Sequence, residues 1–212
     1  MAKIKICGLK RKEDIEAVNQ VKPDFCGFVI EVPKSSRCVS RDQVRILVEG
    51  LQKEILPVGV FVNAPAELVA ELLEEGTLSM AQLHGSEDEN YIKKLRSLTD
   101  KPLIQAFSIQ TAQDVERAYG SSADYILLDQ GGGGTGKTFD WTLVSNRTAM
   151  TTKPFFLAGG LHAGNIERAI RELHPWAVDL SSSLEVGGVK DLGKMREAVE
   201  IVRAVSLAEE VL

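Results

Sequence analysis

The chain has 212 residues, of which 44% are apolar and 26% are charged, and its formal net charge is −5. This composition is typical of a globular protein and gives no basic surface of the kind that binds nucleic acid. No apolar run approaches the roughly 20 residues of a membrane span, and residues 1–12 contain no apolar segment, so the sequence predicts a cytoplasmic protein with no membrane partner.

Short β-rich runs alternate with segments of helical periodicity along the whole chain. Strands are predicted at 3–8, 25–30, 57–62, 80–85, 103–108, 124–129, 154–160 and 177–182. Helices are predicted at 65–75, 163–173 and 191–205, and SRDQ at 40–43 and SEDE at 86–89 have the pattern of capping boxes.

This alternation is compatible with two α/β architectures, a doubly wound sheet and a closed barrel. Eight regular units in a chain of this length favour the (β/α)8 TIM barrel, because closure also leaves no edge strand exposed. The sequence shows no domain break, so residues 1–212 are expected to form a single domain. The length is at the low end for this fold, so some helices should be short.

Polar residues occupy alternate positions near the ends of four predicted strands. They are Lys5 and Cys7, Gln82 and His84, Asp129, and Asp179 and Ser181. In a barrel, alternate residues face the interior, and active sites lie at the C-terminal ends of the strands. These side chains are therefore predicted to converge at one mouth of the barrel.

The segment GGGGTGKT at 131–138 fits the P-loop pattern G-x-x-x-x-G-K-[ST], with Lys137 at the lysine position. A P-loop is followed by a long helix whose N-terminus holds phosphate, whereas the sequence after Thr138 has room for a short helix at most. A clear Mg²⁺-binding aspartate at the end of a later strand is also missing. We therefore interpret the segment as a lid that follows Asp129, with a plain surface linker as the alternative.

A series of motifs carries a family resemblance in its order and spacing. The motifs include KICG at 5–8, PKSSR at 33–37, QLHG at 82–85, LLD at 127–129, GKTFDW at 136–141 and VDLSS at 178–182. Together they resemble phosphoribosylanthranilate isomerase, the small barrel enzyme of tryptophan biosynthesis, from residue 3 to about 191. The resemblance implies an Amadori rearrangement of N-(5-phosphoribosyl)anthranilate to 1-(2-carboxyphenylamino)-1-deoxyribulose 5-phosphate, with no cofactor and no metal.

The resemblance also implies a role for most of the polar residues singled out above. Asp129 would be the general acid, Cys7 the general base, and Arg37 the partner of the anthranilate carboxylate. Further substrate contacts are expected from Gln82, His84 and Asp179, and phosphate contacts from Gly159, Gly160, Ser181, Ser182 and Ser183.

Three details accompany these roles. Lys5 shares a face with Cys7, so we expect it to pair with Asp129, Asp179 or both and to favour the Cys7 thiolate. Ser183 stands where the family has a glycine, so a left-handed backbone there would be strained. Cys26 and Cys38 are expected to have no chemical role, because the three cysteines fit neither a disulfide framework nor a zinc site.

The alternatives are other phosphosugar barrels and proteins of other functional classes. Ribulose-phosphate epimerase needs metal-binding His and Asp residues at several strand ends, and the histidine-pathway isomerase has an aspartate in place of Cys7. A noncatalytic phosphate-binding barrel and a P-loop NTPase are the alternatives from other classes. The expected partner is a small phosphoribosyl substrate, and the chain is expected to be a monomer or a homodimer.

Overall fold

The structure, a computed structural model, describes residues 1–130, 140–148 and 153–210. Its strands are β1 (Lys3–Cys7), β2 (Phe25–Ile30), β3 (Cys38–Val39), β4 (Leu56–Phe61), β5 (Met80–Leu83), β6 (Leu103–Ser108), β7 (Tyr125–Asp129), β8 (Phe155–Leu157), β9 (Ala177–Leu180), β10 (Glu185–Val186) and β11 (Val189–Lys190). Its helices are α1 (Lys12–Val21), α2 (Arg41–Glu49), α3 (Ala66–Glu74), α4 (Glu89–Arg96), α5 (Ala112–Tyr119), α6 (Thr142–Thr148), α7 (Ile166–Leu173) and α8 (Leu192–Glu210), with a 3-10 turn at Ser182–Leu184.

Eight parallel strands form a closed barrel. Hydrogen bonding runs in the order β1-β9-β8-β7-β6-β5-β4-β2, and β1 also pairs with β2, which closes the ring. The short strand β3 pairs in parallel with the end of β2, and β10 and β11 form a separate antiparallel hairpin. The predicted TIM barrel is therefore confirmed, and all eight predicted strands are present with ends that differ by up to three residues.

The barrel has two apolar cores, as the alternation of each strand requires. Ile4 and Ile6 point outward and pack in the larger core against the helices, whereas Phe25 and Phe156 point into the barrel. The N-terminal end of the barrel is filled by aromatic rings, with the Tyr125 and Trp176 ring centroids 4.5 Å apart. This packing closes one end and leaves the polar residues at the other.

Side-chain caps define where several helices begin. Ser40 accepts a hydrogen bond from the backbone N–H of Gln43, as the SRDQ pattern predicts, and α2 follows it. The prediction for SEDE was wrong in register, because Asp88 is the cap of α4 and accepts from the backbone N–H of Tyr91. A carboxylate two residues nearer the helix supplies the same acceptor, and also favours the positive end of the helix dipole.

Three further predictions concern helix length, the P-loop-like segment and membrane spans. Helix α6 is short, as expected from the limited length between β7 and β8. The P-loop-like segment 131–138, interpreted as a lid, lies outside the described residues. Within the part of the chain that the structure describes, no helix is both long and apolar enough to cross a bilayer.

Candidate active site

A cavity of about 580 Å³ opens at the C-terminal ends of the barrel strands. All the residues predicted to act on the substrate line this cavity: Cys7, Arg37, Gln82, His84, Asp129, Gly159, Gly160, Asp179, Ser181, Ser182 and Ser183. Cys7 ends β1 and Asp129 ends β7. These two strands are separated by β9 and β8 on one side of the ring and by four strands on the other, so the two side chains approach the cavity from different walls.

Lys5 lies below the cavity and is fully buried. Its Nζ donates to Asp179 Oδ2 at 2.7 Å and to Gln82 Oε1 at 2.7 Å. Lys5 and Asp179 are directly paired in the register of β1 and β9, so the ion pair is a cross-strand contact between the first and last barrel strands. Of the two predicted partners, Asp179 is the one that the structure shows bonded to Lys5.

Gly27 on β2 leaves room for the reactive side chains. A Cβ atom at this position would lie 2.6 Å from Cys7 Sγ and 3.1 Å from Lys5 Cε. Gly27 is paired with Cys7 in the β1–β2 register. A larger residue would therefore push both the thiol and the ammonium group out of place.

Burial and neighbouring charges act in opposite directions on the pKa values of Lys5 and Asp179. Burial lowers the pKa of Lys5, but the charge of Asp179 and the hydrogen bond to it outweigh this effect, and the pKa is raised. Burial also raises the pKa of Asp179, whose Oδ1 atom has no hydrogen-bond partner among the described residues. We treat the pair as charged, because the Lys5 ammonium donates to two acceptors.

The Cys7 thiol differs from expectation. Burial raises its pKa, and the opposing effect of the Lys5 charge is smaller. Lys5 therefore favours the thiolate, as predicted, but its effect does not give Cys7 a low pKa.

His84 and Gly159 lie on either side of the Asp129 carboxyl group. His84 Nε2 is 3.9 Å from Asp129 Oδ2. Burial lowers the pKa of His84 despite the opposing charge of Asp129. Gly159 has φ +80°, and a Cβ atom there would lie 2.7 Å from Asp129 Oδ1, so the glycine is required both by its backbone conformation and by the space that Asp129 occupies.

Arg37 is held by a carboxylate that sequence analysis missed. Its Nε and Nη2 donate to the two oxygens of Glu185 at 2.7 and 2.8 Å. Lys190 donates to Glu185 Oε1 at 2.8 Å and to the carbonyl of Ser181 at 2.9 Å. Burial raises the pKa of Glu185, but the hydrogen bonds from Arg37 and Lys190 outweigh it and lower the pKa to about 2. The only sequence signal for Glu185 was its position three residues after the motif VDLSS at 178–182.

The serine segment that follows β9 forms the wall next to Cys7. Ser181 Oγ donates to the carbonyl of Cys7 at 3.1 Å. Ser183 lies in the 3-10 turn and is not among the described residues with positive φ, so the strain considered for this position does not occur. Its Oγ atom is buried and has no hydrogen-bond partner among the described residues.

The cysteines form no disulfide, and the described residues contain no cluster of metal ligands. Cys7, Cys26 and Cys38 are all free thiols. Within residues 1–130, 140–148 and 153–210, no group of three or more His, Cys, Asp or Glu side chains is arranged to hold a metal ion. Cys26 packs in the outer apolar core and does not line the cavity, which agrees with the passive role predicted for it.

Comparison with known proteins identifies the family. The model of the N-(5'phosphoribosyl)anthranilate (PRA) isomerase family matches residues 4–201. The chain belongs to this family. A phosphoribosylanthranilate isomerase of Endomicrobium trichonymphae is 42% identical over 208 residues, which is 96% of this chain and 100% of the relative.

Solved phosphoribosylanthranilate isomerases share the fold over nearly their full length. The structure from Thermotoga maritima has a TM-score of 0.86 and 32% identity, covering 96% of this chain and 100% of that chain. Another solved isomerase, in complex with reduced 1-(o-carboxyphenylamino)-1-deoxyribulose 5-phosphate, has a TM-score of 0.82 and 31% identity over 96% and 100% of the two chains. The predicted family, its fold and its enzyme class as an isomerase of tryptophan biosynthesis are confirmed.

Proposed function

We propose that this phosphoribosylanthranilate isomerase catalyses the Amadori rearrangement with Asp129 as general acid and Cys7 as general base. The observation that carries the proposal is that a thiol on β1 and a carboxyl group on β7 line one cavity. Each of these residues is the last of its strand, at the C-terminal edge of the barrel. The substrate is N-(5-phosphoribosyl)anthranilate, and a relative with the same fold binds a reduced form of the expected product.

The reaction takes place in three proton-balanced steps. Asp129 donates its proton to the ribose ring oxygen, the bond from that oxygen to C1 breaks, and the nitrogen lone pair forms an iminium. The Cys7 thiolate then removes the proton from C2, and the released electron pair gives an enolamine. The enolamine then tautomerises to the ketone: its C2 hydroxyl group returns a proton to the Asp129 carboxylate, and C1 takes the proton held by Cys7, which restores both groups.

Substrate orientation is assigned to the polar residues around these two groups. Arg37 has a planar guanidinium already oriented by Glu185, and it binds the anthranilate carboxylate through its remaining N–H groups. Asp179 lines the cavity, and its buried Oδ1 atom has no hydrogen-bond partner in the described part of the chain. We assign this atom as the acceptor for a substrate hydroxyl group, since a buried polar atom is normally hydrogen-bonded.

The phosphate is assigned to the loops that follow β8 and β9. Gly159 and Gly160 have positive φ values of 80° and 67°, and without side chains they let phosphate approach the backbone. Ser181, Ser182 and Ser183 line the adjacent wall. TIM barrels commonly bind phosphate after their last two strands, and β8 and β9 are the last two strands of this barrel.

A fluorescence assay of substrate consumption tests the two catalytic roles. General acid–base catalysis contributes roughly 10²–10⁴-fold, so Cys7→Ala and Asp129→Asn should each lose at least about 100-fold in kcat. Cys38→Ala is the matched control, because Cys38 is a free thiol on β3 that does not line the cavity. Full activity in both active-site variants would reject the assignment.

The biological setting is part of the same proposal. A cytoplasmic location suits an enzyme whose three cysteines are free and whose base is a thiol. We also propose that residues 1–212 act as one domain, because β1 and β9 pair directly. The Thermotoga maritima relative is described as dimeric; for this chain a monomer and a homodimer both remain predictions, which sedimentation equilibrium distinguishes.

A further inference from the structure

A row of hydrogen bonds crosses the barrel interior beneath the cavity. It starts at Asp179 on β9, continues through Lys5 on β1 and Gln82 on β5, and ends at His84 just after β5. The successive distances are 2.7 Å from Asp179 Oδ2 to Lys5 Nζ, 2.7 Å from Lys5 Nζ to Gln82 Oε1, and 2.6 Å from Gln82 Nε2 to His84 Nδ1. Lys5 and Gln82 are 0% and 1% exposed, so water does not compete for these contacts.

The ammonium group of Lys5 fixes the direction of the hydrogen bonds from Gln82 to His84. An ammonium group can only donate, so the Gln82 atom that faces Lys5 must be the carbonyl oxygen. The amide nitrogen of Gln82 then faces His84 Nδ1 and donates to it. Because Nδ1 accepts this hydrogen bond, it carries no proton, and a neutral imidazole must carry its proton on Nε2.

The Nε2 atom faces the proposed acid. It is 3.9 Å from Asp129 Oδ2, which is too far for a hydrogen bond in the unliganded protein, and His84 lines the cavity. The burial and the Lys5 charge that lower the pKa of His84 favour the neutral ring. The charges around it are Asp129, Lys5, Asp179 and Glu87, and the carboxylates of this set oppose the lowering.

We propose that Lys5 and Gln82 are positioning residues that hold His84 as its Nε2–H tautomer, so that His84 is a fixed hydrogen-bond donor beside Asp129 and not a base. In the reaction the two side chains move into hydrogen-bond distance, and this N–H group stabilises the carboxylate that forms when Asp129 gives up its proton. The catalytic part of this inference rests on the acid role proposed for Asp129. The tautomer itself does not depend on turnover.

Nitrogen NMR of the imidazole rings tests the tautomer in the unliganded wild-type protein. The chain has three histidines, and the spectrum of a His84→Gln variant identifies the His84 signals by their loss. Near neutral pH we expect a neutral ring with hydrogen on Nε2 and none on Nδ1. A ring protonated on Nδ1, or on both nitrogens, would overturn the proposal even if the enzyme is fully active.

Two variants test how the tautomer is set. Lys5→Met removes the donor that orients the Gln82 amide, and Gln82→Met removes the donor to Nδ1, so each should produce a mixture of both tautomers. Lys3→Met is the matched control: Lys3 lies two residues from Lys5 on the same face of β1, but its Nζ packs over the Trp176 ring, 4.5 Å from the centroid. If every variant that folds keeps a single Nε2–H tautomer, Lys5 and Gln82 do not set the tautomer of His84.

Side-chain replacements test the donor itself. The amide nitrogen of glutamine can reach the position of Nε2, whereas that of asparagine reaches the position of Nδ1. We expect His84→Gln to keep roughly tenfold more kcat than His84→Asn, which is the scale of one hydrogen bond to a charged group. Equal losses of kcat in His84→Gln and His84→Asn would contradict the donor role of His84. The acid role of Asp129 is tested separately, by the Asp129→Asn variant.

Discussion

Lys5 and Asp179 form a buried ion pair between directly paired positions of β1 and β9, with Nζ and Oδ2 2.7 Å apart. The pair lies between the inner apolar layer and the cavity, so it supports the floor of the site. It also joins two strands that are 174 residues apart in sequence. The two residues of the pair differ in their further hydrogen bonds. Lys5 also donates to Gln82, whereas Asp179 Oδ1 has no partner among the described residues.

Removing Asp179 should destabilise the fold. An Asp179→Ala variant leaves the fully buried Lys5 charge without its counterion, and breaking such a pair costs about 3 kcal/mol or more. Urea unfolding measures the change. Glu172→Ala is the control, because it breaks the exposed Arg168–Glu172 pair on α7, which should cost about 0.5 kcal/mol or less. Similar losses in the two variants would contradict this role for the buried pair.

Replacing Gly159 should affect activity more than stability alone explains. Gly159→Ala places a methyl group 2.7 Å from Asp129 Oδ1 at a backbone position with φ +80°, so the acid must move. Gly76→Ala is a closely matched control, since Gly76 has φ +84° and no atom within 4 Å of the added carbon. Gly76→Ala should lose about 1 kcal/mol of unfolding free energy from backbone strain. Gly159→Ala should lose more, because its added carbon also lies 2.7 Å from the backbone nitrogen of Gln130. Only Gly159→Ala should also lose kcat, and unchanged turnover there would separate Asp129 from the catalytic step.

The ion cluster at Glu185 should make stability depend on acidity. The pKa of Glu185 is lowered to about 2 in the folded protein, compared with about 4.3 for an ordinary glutamate. Between these values the unfolded chain binds a proton that the folded protein does not, so stability falls as the pH decreases through this window. Above it, the contribution is complete. The unfolding free energy of Glu185→Gln should therefore decline less steeply with acid than that of wild type, and parallel profiles would contradict the assignment.

The Cys7 thiol should ionise late in the unliganded enzyme. Because burial raises its pKa above the ordinary thiol value of about 8.5, alkylation of Cys7 by iodoacetamide should still be accelerating at pH 9. Mass spectrometry of the labelled peptide distinguishes Cys7 from Cys38. A rate that reaches its plateau below pH 8 would mean that the Lys5 charge outweighs the effect of burial on the Cys7 pKa.

The sequence predicted the barrel because eight strand–helix units repeat along a chain of this length, and alternation within four strands predicted which of their residues face inward. Ile4 and Ile6 belong to the outer core while Lys5 and Cys7 face inward. This alternation along β1 predicted that its polar side chains lie inside the barrel, near one of its ends. The resemblance then supplied roles for residues that the structure brings to one cavity. Strand and helix ends were less predictable, because several acceptors near a helix start can serve as its cap, as Asp88 shows.

Other features could not be predicted, for physical reasons. The Arg37–Glu185 pair joins residues 148 positions apart, and no local pattern encodes such a contact. The direction of the Cys7 pKa shift depends on the balance of burial against charge, which requires the packed structure. The P-loop pattern shows the opposite problem, because a short sequence match carries meaning only in the right structural context.

The closure of the ring by β1 has a consequence for biosynthesis. The ribosome makes Cys7 and Lys5 first, but the hydrogen-bonded neighbours of β1 include β9, and the serine wall beside Cys7 follows that strand. A nascent chain therefore exposes the inward face of its earliest strand until almost all of the polypeptide has been translated. Catalytic competence should appear in a single late event during synthesis, and chaperones that shield an open half-barrel would act before that moment.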